Sequence, residues 1–203
     1  MWLYLIQGIG YGFAAAAQPG PLQTYLITQT LAKGWQKSLL NAFAPLISDG
    51  PIIVLCVLVL RQLPDAFKQI LYIAGGIFVL YLAYGAYKSW RDLNAQLPIA
   101  ETGTQQSVFK AALVNLLAPG AYIFWGTVTG PILITGWRET PVFGIAFILG
   151  FYVTFVLCLM LIIFVFGTLQ ALGQKIRRAL VGMSALALFC FGMYQLWLGI
   201  FKL

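Results

Sequence analysis

A single carboxylate, Asp49, interrupts residues 38–60, a stretch that otherwise holds no Asp, Glu, Lys or Arg, and it stands between two prolines, Pro45 and Pro51. If that stretch crosses a bilayer, the charge costs about 2.5–3.5 kcal/mol at mid-membrane on the most lenient scale, and such groups face a bundle interior or water. The long apolar runs contain no Lys, Arg or His to pair with it. Its partners must therefore be helix amides, the nearby Asn41 and Ser48, a water or a bound cation. Asn41, Pro45, Ser48 and Asp49 recur at helical spacing, which puts them on one face suited to lining a cavity. Two chemistries suit a carboxyl in that position: holding an ammonium group, or gaining and losing a proton as it is exposed to each side in turn. The competing reading ends the helix at Gly50 and Pro51 and leaves Asp49 among lipid headgroups.

A second pair of features lies at Pro19-Gly20-Pro21 and at Pro119-Gly120. Proline removes a backbone donor and clashes with the carbonyl one turn back, and glycine weakens what remains, so each pair interrupts its helix. Pro21 suits the first turn of a new half-helix. Unwound backbone at membrane depth is tolerated only where protein or water covers it. A half-helix N-terminus carries about half a positive charge and unpaired N–H groups, which suit a carboxylate. Gln18, Pro19, Gly20, Pro21, Gln23, Asn41, Asn115, Pro119 and Gly120 are the candidate substrate-binding residues, and Asp49 is the candidate proton-coupling residue. Thr24 and Thr127 flank the breaks as weaker candidates.

The elements that must position these groups follow from composition. With 61% hydrophobic and 8% charged residues and a mean hydropathy of +0.90, a chain of 203 residues cannot hide its apolar surface from water. Uncharged runs cover residues 1–32, 69–87, 111–137, 140–174 and 179–201, with 38–60 broken only by Asp49. Each is near or above the roughly 20 residues that a spanning helix needs, and none alternates as an outer-membrane strand does. The expectation is an all-α polytopic membrane protein with six transmembrane helices at about 2–30, 39–60, 68–90, 108–134, 141–168 and 178–201. The small residues of AAAAQ, 14–18, resemble a signal cleavage site, but no Lys or Arg precedes them, so the first span is read as a mature helix.

A polar stretch, 91–107, reads as the linker between two halves of one transmembrane domain, 1–203, with a first repeat of about 1–90 and a second of about 108–203. QPGPL (18–22) resembles APGAY (118–122), KGWQKS (33–38) resembles TGWRET (135–140), and AYGAY (83–87) resembles CFGMY (190–194), in the same order. Three spans is an odd number, so a duplicated half enters from the opposite side: two inverted three-helix repeats with broken helices 1 and 4.

The net charge of +7 would suggest nucleic acid in a soluble protein, but here the basic residues lie between spans and read as topology determinants. Lys33, Lys37, Lys88, Arg91, Lys110, Lys175, Arg177 and Arg178 fall on one side, Arg61, Lys68, Arg138 and Lys202 on the other. The richer side is cytoplasmic by the positive-inside rule, which puts both termini outside. Cys56, Cys158 and Cys190 lie singly in three spans, as packing residues rather than a redox pair. Gly8/Gly12 and Gly126/Gly130 are close-packing pairs. Trp2, Tyr4, Trp35, Trp90 and Trp137, near span ends, read as interfacial anchors.

QPGPLQTYLITQTLAKGWQKS at 18–38, ISDG at 47–50, IAGGIFVLYLAYGAYKSWR at 73–91 and FKAALVNLLAPGAYIFW at 109–125 together resemble the LysE/RhtB-type amino-acid exporters. The departure is LAPGA, where that family often has N-P-K or a close variant. The resemblance implies that Pro19, Gly20, Pro21, Asp49, Asn115 and Pro119 surround a transport site, and that the protein exports a small amino acid or related solute from the bacterial cytoplasm at the expense of the proton gradient. Expected partners are thus the amino acid, a proton or other coupling ion, and the inner-membrane lipid, with a homo-oligomer allowed and no cofactor or nucleic acid.

Three other functions compete. A metal-cation exporter needs several oxygen, nitrogen or sulfur ligands, and one intramembrane acid without His is a poor set. An intramembrane enzyme needs a nucleophile and base or a metal, which Asp49 alone does not supply. A non-transporting membrane protein is separated from these by a flux assay.

Overall fold

The computed structural model describes residues 1–18, 20–56, 65–95, 104–169 and 174–201. Among them the chain is helical, with no strand. In order, the helices are α1 (Trp2–Ala17), α2 (Pro21–Lys33), the single turn α3 (Trp35–Ser38), a 3-10 stretch (Leu39–Phe43), α4 (Ala44–Val54), α5 (Asp65–Ala95), α6 (Thr104–Leu116), α7 (Pro119–Phe124), a π-helical stretch (Trp125–Thr129), α8 (Gly130–Glu139), α9 (Pro141–Leu169) and α10 (Gln174–Phe201).

Segments in α5, α9 and α10, namely Gln69–Lys88, Pro141–Leu169 and Arg178–Phe201, are long and apolar enough to cross a membrane. The pair Gln106–Leu116 and Pro119–Glu139, bent by 57°, makes a fourth if it is one span. Six spans were expected. The first is divided into α1 and α2, of 16 and 13 residues, each short of the roughly 20 needed alone. The second is described only as far as Cys56, with residues 57–64 outside the described residues. The expected linker is also shorter than 91–107: α5 continues to Ala95 and α6 begins at Thr104, leaving 96–103 outside the described residues.

The surface has the distribution of a membrane protein. Large apolar side chains such as Ile6, Phe13, Leu157, Leu161, Leu186 and Phe201 are exposed, while Asn41, Ser48, Asp49, Ser107, Asn115, Thr129 and Gln195 are buried. Hydroxyls within helices return to their own backbone: Thr24 to the Gly20 carbonyl at 2.9 Å, Thr28 to Thr24 at 2.8 Å and Thr30 to Leu26 at 2.8 Å.

Two close helix pairs carry the packing: α1 lies along α9, and α5 along α10. Glycine makes the first pair possible. A Cβ on Gly8 or Gly12 would overlap the Phe147 or Phe151 carbonyl oxygen, and one on Gly150 would come within 2.6 Å of the Leu5 carbonyl oxygen. In the second pair, a Cβ on Gly76 would lie 3.0 Å from the Gly192 oxygen. Backbones at such proximity gain dispersion contacts, the main attraction left where lipid is as apolar as the helix. Between these pairs, α4 packs on α6, and α2 on α9 and α10. Gly34, at φ 93°, turns the chain from α2 into α3, a backbone region that favours glycine. Trp35 then packs against Gly167 and Phe164 of α9, so this residue, expected to anchor at the interface, makes a helix contact.

Candidate functional site

Both proline-glycine sequences end one helix and begin another. α1 stops at Gln18, whose ψ of 117° leaves the helical region. Gly20 is extended, at φ −163° and ψ 179°, and Pro21 opens α2 in its first turn. The first bond of α2 runs from the Thr24 amide to the Gly20 carbonyl, 3.0 Å, so the Leu22 and Gln23 amides precede any intrahelical partner. In the second half, Ala118 is extended at ψ 112° and Pro119 opens α7, with the Ala121 amide 3.1 Å from the Ala118 carbonyl. A π-helical stretch follows at Trp125–Thr129, with Thr129 Oγ1 donating to the Phe124 carbonyl at 3.1 Å. Such insertions re-aim the side chains around them.

A cavity of about 260 Å³ lies between the two breaks. Gln18, Gly20, Pro21 and Gln23 line it from the first, and Asn115, Pro119 and Gly120 from the second, with Asp49 beside them. Eight of the sequence candidates thus meet around one space. Pro19 lies outside the described residues. Asn41 does not join the lining. Its Nδ2 donates to Ser107 Oγ at 3.0 Å, in a buried contact that also receives the Tyr25 hydroxyl, 3.4 Å from the Ser107 carbonyl. The reason is local: residues 39–43 form a 3-10 helix, which advances by 3.0 rather than 3.6 residues per turn. A face extrapolated back from Asp49 at α-helical spacing therefore misses Asn41. Of the weaker candidates, Thr24 and Thr127 are bonded to their own helices.

Asp49 is 2% exposed, and protein donors surround it. Asn115 Nδ2 lies 2.5 Å from Oδ1, Tyr152 donates its hydroxyl to Oδ2 at 3.2 Å, and Trp125 Nε1 approaches Oδ2 at 3.4 Å. Ser48 accepts from Asn115 Nδ2 at 2.8 Å and donates to the Ala44 carbonyl at 3.2 Å. Hydrogen bonds to a charged acceptor contribute about 1.5–3 kcal/mol each, enough in combination to hold a carboxylate where no cation pairs with it. Asp49 is thus enclosed by protein, and α4 continues past Gly50 and Pro51 to Val54 rather than ending there.

Sequence reasoning passed over Trp125 and Tyr152. Both stand far from their span ends, where an indole N–H or phenol hydroxyl in an apolar run needs a partner, and that requirement was the available signal. Around them the wall is aromatic: Phe124, Trp125, Phe151, Phe155 and Phe191, with Tyr72, Tyr194 and Gln195 completing it. Trp125 and Phe151 meet edge to face at 5.1 Å. Gln23 ties its own side chain across the first break, Nε2 donating to the Ala15 carbonyl at 3.1 Å. Among the described residues no three His, Cys, Asp or Glu side chains converge as a metal site would require.

No curated protein and no solved structure matches the chain. The model of the family described as LysE type translocator does match, over residues 13–199. That range contains both helix breaks, Asp49 and every described residue of the cavity wall. A buried carboxylate thus stands beside two interrupted helices, and the chain belongs to the LysE type translocator family of transmembrane transporters.

Proposed function

We propose that this membrane exporter is a six-span, proton-coupled carrier that moves a small amino acid or related solute out of the bacterial cytoplasm across the inner membrane. The observation that carries the reading is the cavity between the two helix breaks with Asp49 in its wall. In this reading the substrate's ammonium group meets Asp49, and its carboxylate faces the free amides at the start of α2, where the helix dipole favours negative charge. Asp49 also carries the coupling proton. Ammonium and proton are alternatives at one carboxylate, so loading one displaces the other.

The proposed architecture is two inverted three-helix repeats with both termini outside. Contacts support it. The packing of α1 on α9 joins the first and fifth proposed spans, and that of α4 on α6 joins the second and fourth. These are equivalent pairs if the fourth span corresponds to the first and the fifth to the second. The third and sixth proposed spans, α5 and α10, pair with each other. Inverted repeats with broken helices bind their substrates near the bilayer midplane and expose the site by rocking one bundle against the other. The two glycine-packed pairs are the units suited to move as bodies.

The test is counterflow in proteoliposomes. Vesicles loaded with an unlabelled amino acid should accumulate the labelled one, and an imposed pH gradient should drive net flux. Flux that no pH gradient alters would remove the proton, and the absence of counterflow with every amino acid would remove the substrate class.

A further inference from the structure

Asp49 is the sole Asp, Glu, Lys or Arg among the residues described as lining the cavity, and the chain contains no His. The rest of the wall is apolar, aromatic, hydroxyl or neutral amide. We propose that the cavity selects amino acids with an uncharged, apolar side chain and rejects both basic and acidic ones. This rests on the reading of the cavity as the transport site and names the substrate class of that site.

An ionised carboxylate offers about four acceptor positions. Three already have donors: Asn115 at Oδ1, and Tyr152 and Trp125 at Oδ2. One position remains, sufficient for the ammonium that every amino acid carries. A lysine or arginine side chain would bring a second cation with no second carboxylate to meet it. Ring faces attract cations, but by less than the desolvation of a buried unpaired charge costs. A glutamate or aspartate side chain fares worse, since among the described residues no Lys, Arg or His lines the space and the remaining charge is Asp49 itself. A further buried acceptor on the wall is neutral: Gln195 is 6% exposed, and its Oε1 has no hydrogen-bond partner. Phe151, Phe155 and Phe191 offer surface to an apolar side chain instead. At about 260 Å³ the space is below the roughly 300–1,000 Å³ of sites for drug-sized ligands, which fits a single small zwitterion.

The test is a binding panel on the purified full-length protein in lipid nanodiscs, by calorimetry, at one pH and ionic strength. It compares leucine, methionine and phenylalanine with lysine, arginine, glutamate and aspartate. The expected result is at least one apolar member binding tenfold or more tighter than any charged one. Lysine or glutamate binding as tightly as the best apolar member would overturn the inference while leaving the exporter reading in place. No binding by any member would overturn the inference, while counterflow with the remaining amino acids would still decide the exporter reading. A second arm uses Gln195→Glu, which adds a second carboxylate at nearly constant shape. It should move the preference toward lysine by tenfold or more, and an unchanged ranking would show that charge balance does not set selectivity.

Discussion

Asn115 and Asp49, 66 positions apart, meet at 2.5 Å across the cavity wall, joining the last turn of α6 to the carboxylate of α4. The same amide nitrogen reaches Ser48 Oγ at 2.8 Å. One side chain therefore satisfies two buried acceptors. Asn115→Leu keeps much of the volume and removes both bonds, and should destabilise the protein by about 1.5–3 kcal/mol. Thermal unfolding in detergent is the measurement, and an unchanged midpoint would mean that Asp49 does not depend on this donor.

Asp49→Asn removes the charge at nearly constant shape. Proton-driven export in proteoliposomes should be abolished and amino-acid binding weakened tenfold or more, with thermal stability retained. Full gradient-driven activity in the variant would refute both roles assigned to Asp49.

Replacing Pro19 and Pro21 together with Ala should allow α1 and α2 to join, because a proline lacks the amide donor a continuous helix needs and its ring clashes with the carbonyl one turn back. Binding measured by calorimetry should weaken, since the Leu22 and Gln23 amides would gain carbonyl partners within the helix. Unchanged affinity would count against a backbone contribution to the site.

Gly12→Ala places a methyl group on the Phe151 carbonyl oxygen and should cost about 1–3 kcal/mol through forced separation of α1 and α9. Gly10→Ala is the control, because a Cβ there meets nothing within 4 Å. It should be neutral or gain about 0.5–1 kcal/mol from reduced backbone entropy. Equal effects of the two in thermal unfolding would argue against the close packing.

Topology is open to a fusion assay. Alkaline phosphatase joined after Leu203 should be active and a fluorescent protein at the same place dark, as expected for a C-terminus outside the cytoplasm. The reverse pattern would invert the proposed orientation and make the Lys33 and Lys175 side external.

What the residues alone determined were the properties set locally. Long uncharged runs specify helices, three or four of them long and apolar enough to cross a membrane among the described residues, because hydropathy is a sum over neighbouring residues. Pro21 and Pro119 specify helix starts because a missing N–H acts within one turn, and Asp49 announces a polar interior because its cost in lipid depends on no partner. Even so, local reading failed at Asn41, where a 3-10 stretch replaced the assumed α spacing. Tertiary structure decided which side chains would answer the carboxylate. Tyr152 lies in α9, a helix apolar enough on every side that its pattern names no inward face, and Trp125 opens a π-helical stretch that no periodicity marks. The placement of Tyr152 follows from how α9 meets α1, where Gly8 and Gly12 lie against the backbone of Phe147 and Phe151. That contact is a matter of backbone proximity between segments over a hundred residues apart, and no window along the chain contains both.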